Sequence, residues 1–208
     1  QVHAANDETD SLRRLADFLI DAGVHGIVAC GTTGEAATLT GEEWKQVVAA
    51  AVRVGRKRVT VTAGIGTNDT ARTVRNVEAA LELGADVGLL VFPYYNKPNP
   101  AGHRAHVRAA AAPGLPLMLY HVPGRTAQLL PVDLFAALSQ AEGVVAVKEA
   151  TGDVRYGTDL IARTKVAVLS GDDFTFLGLM AQGATGCVSV LSNVAPAATV
   201  GVWRAHRD

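Results

Sequence analysis

Lys148 ends the run Val144-Val145-Ala146-Val147, whose β-branched apolar character suits a strand buried on both faces. An ammonium there has two readings. It is either a strand-end side chain whose stem covers apolar surface while its charge reaches water, or an amine held dry because its chemistry requires it. Other strand-like runs end in equally polar groups. Gly31-Thr32-Thr33-Gly34-Glu35 follows GIVAC, Pro93-Tyr94-Tyr95-Asn96 follows VGLLVF, and LPLML leads into Tyr120-His121-Val122-Pro123-Gly124-Arg125-Thr126. The run KVAVL is followed by Ser170-Gly171-Asp172-Asp173. Hydroxyls, phenols, one lysine and one arginine thus recur at successive run ends, and that joint occurrence favours the second reading.

The chemistry that suits these groups is a Schiff base. Burial disfavours the charged form of a lysine, so its neutral amine can condense with a ketone at neutral pH. Proton abstraction beside the iminium then needs a carrier. Tyr120 can serve if its phenol is linked to other hydroxyls such as Thr32 and Tyr95, although a buried phenol also often just finds a core partner. Successive backbone N–H groups in the Gly-bracketed GTTGE turn, helped by the Thr33 hydroxyl, can bind a carboxylate. Taken alone, such a loop is often only a turn. A guanidinium at Arg125 suits bidentate capture of a second carboxylate; its plain alternative is a rim salt bridge.

Groups from such distant positions meet only if the elements between them bring the run ends to one rim. Seven apolar runs of strand length occur, at 26–30, 58–64, 87–92, 115–120, 144–148, 165–171 and 186–191. Amphipathic segments alternate with them, such as Leu12, Leu15, Phe18 and Leu19, or Val74, Val77 and Leu81 with Arg72, Arg75 and Glu82 off that stripe. Repeated βα units imply a parallel sheet covered by helices, and the right-handed crossover leaves a doubly wound sheet or a (β/α)8 barrel. Regular spacing, with no Gly-rich dinucleotide fingerprint after the first strand, favours one (β/α)8 TIM barrel domain over residues 1–208. Eight strands are needed and seven are found. The first element is a helix, 10–22, and the last strand is followed only by the start of a final helix, so the chain is expected to lack the first strand and the C-terminal helices.

Charge and composition narrow the function classes. With 19 basic and 20 acidic side chains among 208 residues, no basic surface for nucleic acid or an anionic membrane is expected, and a small neutral or anionic metabolite fits better. Cys30 and Cys187 each sit in an apolar run, which suits core packing in a reducing, cytoplasmic setting. No apolar stretch approaches the ~18 residues of a membrane span, and the first residues, QVHAANDETD, lack the layout of a signal peptide. The histidines and cysteines show no metal-ligand spacing; His103 and His106, beside Arg104 and Arg108, suit a solvated helix face. Strand alternation sends Lys148 and Glu149 to opposite sides. Asp172 and Asp173 suit either the N-cap of a following helix or contact with substrate. No cofactor motif is present, so any covalent intermediate rests on Lys148 itself.

GTTGEAATLT, PYYNKP, YHVPGRT, VKEAT and SGDD, in that order and at those intervals, resemble the pyruvate-dependent class I lyase and aldolase superfamily, and within it the dihydrodipicolinate synthase family. The resemblance spans nearly the whole chain. It implies a (β/α)8 barrel that condenses pyruvate with L-aspartate 4-semialdehyde in diaminopimelate and lysine biosynthesis. It further implies that Lys148 forms the pyruvate imine, Tyr120 is the acid/base, and Thr32 and Tyr95 complete a proton relay. Thr33 and nearby backbone amides, with Gly171, would hold pyruvate, the carbonyl of Val188 would face the lysine, and Arg125 would grip the second substrate. Tyr95 would reach into a neighbouring subunit, which implies a homodimer or homotetramer. The alternatives are a 2-keto-3-deoxy sugar acid or N-acetylneuraminate-type lyase, which usually lacks the PGRT sequence, and a non-catalytic truncated relative. Two positions depart from the family pattern: His121 replaces the usual asparagine after the catalytic tyrosine, and Arg72 stands where lysine-inhibited members carry a glutamate. Tyr94 and Asn68 match the inhibitor site, so the resemblance implies weak or absent feedback by L-lysine.

Overall fold

A computed structural model describes residues 6–207, with side chains from residue 10. Helix α1 (Asn6–Asp21) leads into strand β1 (Gly26–Ala29), followed by α2 (Gly41–Gly55), β2 (Thr60–Gly64), α3 (Thr70–Leu83), β3 (Val87–Val91) and α4 (Pro100–Ala111). Then come β4 (Leu117–His121), the short α5 (Pro123–Thr126), α6 (Val132–Ser139), β5 (Val144–Glu149), α7 (Val154–Ile161) and β6 (Ala167–Ser170). The short α8 (Phe176–Met180), β7 (Gly186–Cys187) and α9 (Pro196–Arg207) complete the order. Local signals explain several starts and stops. Thr40 and Glu43 form a reciprocal capping box on α2, and Asp69, Asn99 and Asp153 cap α3, α4 and α7 through their side chains. Gly84 ends α3 in the left-handed region at φ 88°, which glycine adopts without a Cβ penalty.

Among the described residues, seven strands form one curled parallel sheet in sequence order, β1 to β7. Helices pack on its outer face over a core that includes Leu90, Leu117, Leu119, Phe135, Val147 and Leu160. The inner face has a smaller cluster of Leu89, Met118, Tyr120, Val122, Ala146 and Ala150. Alternation along each strand separates the two sets. The register pairs Leu119 with Val147, Tyr120 with Lys148 and His121 with Glu149. Tyr120 and Lys148 are therefore inner-face neighbours, and His121 and Glu149 lie together on the other side.

Several expectations are corrected by packing. The seventh apolar run forms only a two-residue strand, because Leu191–Asn193 turns into a 3-10 helix. The inward side of α1 is centred on Ala16 with Leu19 and Ile20, while Leu15 and Phe18 are substantially exposed. On α3, Val77 is buried as expected, but Thr73 and Ala80 are its buried neighbours in place of Val74, which is only half-buried, and Leu81, which is exposed. His103 and His106 do not form a solvated face. Both are buried, His103 sharing a hydrogen bond of 3.1 Å with Gln128 and His106 one of 2.8 Å with Thr70, while Arg104 and Arg108 stay exposed. Burial pushes both imidazoles below their ordinary pKa, His106 to about 4.

Candidate functional site

A cavity of about 450 Å³ opens where the strands end, and Lys148, Tyr120, Thr32, Thr33, Arg125 and Gly171 line it. Strands β4 and β5 carry Tyr120 and Lys148, and the segments after β1, β4 and β6 supply the rest, so residues more than a hundred positions apart meet at one rim. The turn after β1 is held by Gly34 N–H donating to the Gly31 carbonyl and Glu35 N–H to that of Thr32, both at 3.1 Å. Cys30 and Glu35 flank it at φ 54° each, a left-handed conformation that is uncommon for side-chain-bearing residues and recurs at functional sites.

Lys148 is 8% exposed, and its Nζ lies 4.1 Å from the centroid of the Tyr120 ring. Burial is the main reason its pKa falls from the ordinary 10.5 to about 8, with Arg125 acting in the same direction and Cys187, Asp172 and Asp173 opposing it. At pH 7 about one amine in ten would then be neutral, against about one in three thousand for a solvated lysine. The solvated strand-end reading of Lys148 is thus excluded by its position. The Tyr120 phenol is raised above its ordinary value, chiefly by burial, with hydrogen bonding from Thr32 and the charge of Arg125 opposing. It stays protonated near neutrality and can donate.

Gly171 is set by a close approach. A Cβ at that position would lie 2.6 Å from the Ala150 Cβ, 2.9 Å from the Lys148 Cε and 3.0 Å from the Glu149 carbonyl oxygen. Its N–H donates to that same carbonyl at 2.6 Å, which fixes β6 against the lysine strand. Val188 packs on the inner-face cluster and donates its N–H to the Ser170 carbonyl, but it is not part of the cavity wall. Tyr95 lies away from the cavity. It is 88% exposed with φ 72°, so within this chain it is not joined to Tyr120 and Thr32.

The groups beside these residues divide by face. His121 is fully buried behind the sheet, where its Nε2 accepts the Leu130 N–H at 3.2 Å and its ring packs against Phe135 and Tyr156. Burial lowers its pKa to about 4. The substitution at this position therefore alters the outer core and leaves Tyr120 on the cavity side. Glu149 is also fully buried outside the sheet, its Oε1 accepting the Thr151 N–H at 2.6 Å; burial raises its pKa. The two aspartates of SGDD separate as well, and neither caps α8, whose N-cap is Thr175. The Asp173 carboxylate accepts from the Ser189 hydroxyl and from the N–H groups of Val190 (3.1 Å) and Leu191 (2.9 Å), tying β6 to the turn after β7. Asp172 lines the cavity.

Thr151, Phe174 and Val190 also line the cavity and were not singled out from the sequence. Thr151 lies two residues past the lysine strand, a position that strand-end reasoning reaches. Phe174 and Val190 look like ordinary loop apolars until the fold places them at a rim. Among the described residues, no group of three His, Cys, Asp or Glu side chains is arranged to hold a metal ion. Tyr94 and Asn68 lie on neighbouring loops, joined where the Asn96 side-chain amide donates to the Asn68 carbonyl at 3.0 Å, and Arg72 is exposed on α3.

The Dihydrodipicolinate synthetase family profile matches residues 3–208. A 4-hydroxy-tetrahydrodipicolinate synthase of Methanoculleus marisnigri is 44% identical over 206 residues, covering 98% of this chain and 71% of that protein. The enzyme of the same name from Syntrophobacter fumaroxidans is 44% identical over 197 residues, covering 93% and 68%. Among solved structures, dihydrodipicolinate synthase from Aquifex aeolicus superposes with a TM-score of 0.92 at 39% identity, over 96% of this chain and 69% of that one. The chloride-inhibited dihydrodipicolinate synthase of Acinetobacter baumannii complexed with pyruvate gives 0.92 at 45% identity, over 96% and 69%.

Proposed function

The chain belongs to the dihydrodipicolinate synthetase family, and from that premise we propose that it is a lyase condensing pyruvate with L-aspartate 4-semialdehyde to 4-hydroxy-tetrahydrodipicolinate. The observation that carries the reading is the amine of Lys148, buried in the cavity wall over the Tyr120 ring with its pKa lowered to about 8. The neutral amine attacks the pyruvate ketone, water leaves, and an imine joins the substrate to Nζ. Loss of a methyl proton gives the enamine, whose carbon attacks the aldehyde of the second substrate. Attack of that substrate's own amine on the imine carbon then closes the ring and frees Lys148. Tyr120 carries protons in these steps, with Thr32 beside it. Thr33 and the amides of its turn hold the pyruvate carboxylate, Gly171 leaves room beside the lysine stem, and Arg125 takes the second carboxylate. The Val188 carbonyl is assigned to the lysine side of the site. No cofactor is required, since the imine itself withdraws the electrons.

We read the seven strands as part of a (β/α)8 barrel whose remaining strand would lie between β1 and β7. Tyr95, exposed and in a left-handed conformation, is assigned to the site of a neighbouring subunit, which makes a homodimer or homotetramer the working assembly. The cytoplasm is the setting in which two free cysteines persist. The test is incubation with pyruvate and borohydride, followed by intact mass and peptide mapping. A reduced adduct on Lys148, together with faster turnover of aspartate semialdehyde than of sugar acids, is expected. A folded protein that traps no pyruvate would overturn the reading, and preferential sugar-acid cleavage would move it to the aldolase branch.

A further inference from the structure

Glu149 directly follows Lys148 and is fully buried on the far side of the sheet, yet the proposed chemistry makes no use of it. Only half of its carboxyl is satisfied. Oε1 accepts the Thr151 N–H at 2.6 Å, while Oε2 is buried with no hydrogen-bond partner among the described residues. The Tyr156 hydroxyl donates instead to the Leu130 carbonyl at 2.9 Å, and the Nε2 of His121, the register neighbour of Glu149, takes the Leu130 N–H. Helix α7 meets Oε2 with a glycine: a Cβ on Gly157 would lie 3.3 Å from that oxygen. A buried polar atom without a partner is costly in either protonation state, and an apolar side chain of the same length would fill the space without that cost. Stability therefore does not account for a carboxyl here. Its one contact is to the Thr151 amide, and that contact fixes the segment 150–152, each residue of which lines the cavity. The strands on both sides are tied in at the same place, since Ala150 N–H donates to the His121 carbonyl at 2.9 Å and Gly171 N–H to the Glu149 carbonyl at 2.6 Å.

We propose that Glu149 is a positioning residue for imine formation, its carboxyl holding the 150–152 wall of the cavity in place beside the Lys148 amine from behind the sheet. The inference rests on the Schiff-base reading and deepens it with a residue that does not itself line the cavity. The effect falls on the reacting geometry more than on pyruvate capture, because the turn assigned to the pyruvate carboxylate follows β1, at a different strand end. Thr151 is only half-buried, so water in the cavity could satisfy its N–H if the carboxyl were removed, and the segment would then lose its fixed position without the core losing its packing.

Two substitutions in the full chain separate positioning from packing. Glu149→Gln keeps an acceptor for the Thr151 N–H and matches the neutral acid that burial favours; Glu149→Met keeps the length and removes that acceptor. Imine formation is read as the rate at which cyanoborohydride traps pyruvate on Lys148 across a pyruvate titration, and folding as the urea midpoint. For Glu149→Met the trapping rate at saturating pyruvate should fall at least about tenfold, the scale of one net hydrogen bond. The half-saturating pyruvate concentration should change less than about threefold, with a urea midpoint no lower than the parent's. Glu149→Gln should trap within about threefold of the parent. A Met variant that fails to fold or unfolds earlier would make Glu149 a core residue and overturn the proposal. So would one that traps at the parent rate, or whose loss lies in the half-saturating concentration alone. A Gln variant as slow as the Met variant would overturn it too, since the acceptor would then not be what matters. A parent protein that traps no pyruvate is a separate failure, that of the Schiff-base reading itself.

Discussion

Replacing Lys148 by methionine measures what the fold gives up to keep an amine in its cavity. Burial lowers the pKa from 10.5 to about 8, and at about 1.4 kcal/mol for each tenfold change in proton affinity this is roughly 3 kcal/mol against the charged form. The Tyr120 ring, 4.1 Å from Nζ, offsets part of it, since a cation over an aromatic face recovers about 0.5–2 kcal/mol. A net penalty of about 1–3 kcal/mol remains. Because the folded pKa lies below the unfolded one, the unfolded chain binds more protons between about 8 and 10.5, and stability rises with pH across that window. Below it both states carry the proton and the penalty is complete. Lys148→Met keeps most of the stem and removes the charge, so urea denaturation at pH 7 should show a gain of about 1–3 kcal/mol. That gain should shrink as the pH is raised through the window. A variant no more stable than the parent at pH 7, with a difference independent of pH, would mean that the amine is solvated, and the argument for a reactive lysine would fail with it.

Gly171→Ala places a Cβ 2.9 Å from the Lys148 Cε and 2.6 Å from the Ala150 Cβ; denaturation should show a loss of about 1–3 kcal/mol, the usual cost of overpacking, with slower borohydride trapping of pyruvate. Unchanged stability and trapping would show that β6 moves aside freely. Arg125→Ala should leave imine formation largely intact while condensation loses roughly 2–4 kcal/mol of transition-state stabilisation, read from kcat/KM; equal loss of both steps would remove Arg125 from the second-substrate site. If the resemblance to lysine-inhibited members extends to their inhibitor site, Arg72 puts a positive charge where those members carry a glutamate, so activity titrated with L-lysine should show half-inhibition no lower than the millimolar range and Arg72→Glu should increase sensitivity.

What residue types and spacing determined about this protein was the alternation of its elements and the rim on which its chemistry lies. Seven β-branched runs separated by amphipathic segments leave few ways to cover a parallel sheet, and in those arrangements the strand ends converge. Lys148, Tyr120, Thr32, Thr33, Arg125 and Gly171 stand at or just after run ends in the sequence, and in the fold they line one cavity. Even the opposite directions of Lys148 and Glu149 follow from alternation, a local property of strands. The tertiary structure decided whatever depended on a distant partner. His103 and His106 read as a polar helix face beside arginines, until Gln128 and Thr70 supply hydrogen bonds that let both be buried. Leu15, Phe18 and Leu81 fit a helical stripe, yet which side of a helix turns inward is set by the neighbouring element. The pair in SGDD could not be divided by inspection, because Asp173 is occupied by a turn sixteen to eighteen positions further on and only that contact leaves Asp172 as the free carboxylate. Tyr95 shared a rim in sequence order but turns outward on a left-handed backbone. Short-range periodicity reports which groups an element offers, while burial and hydrogen-bond satisfaction are settled only when separate elements meet.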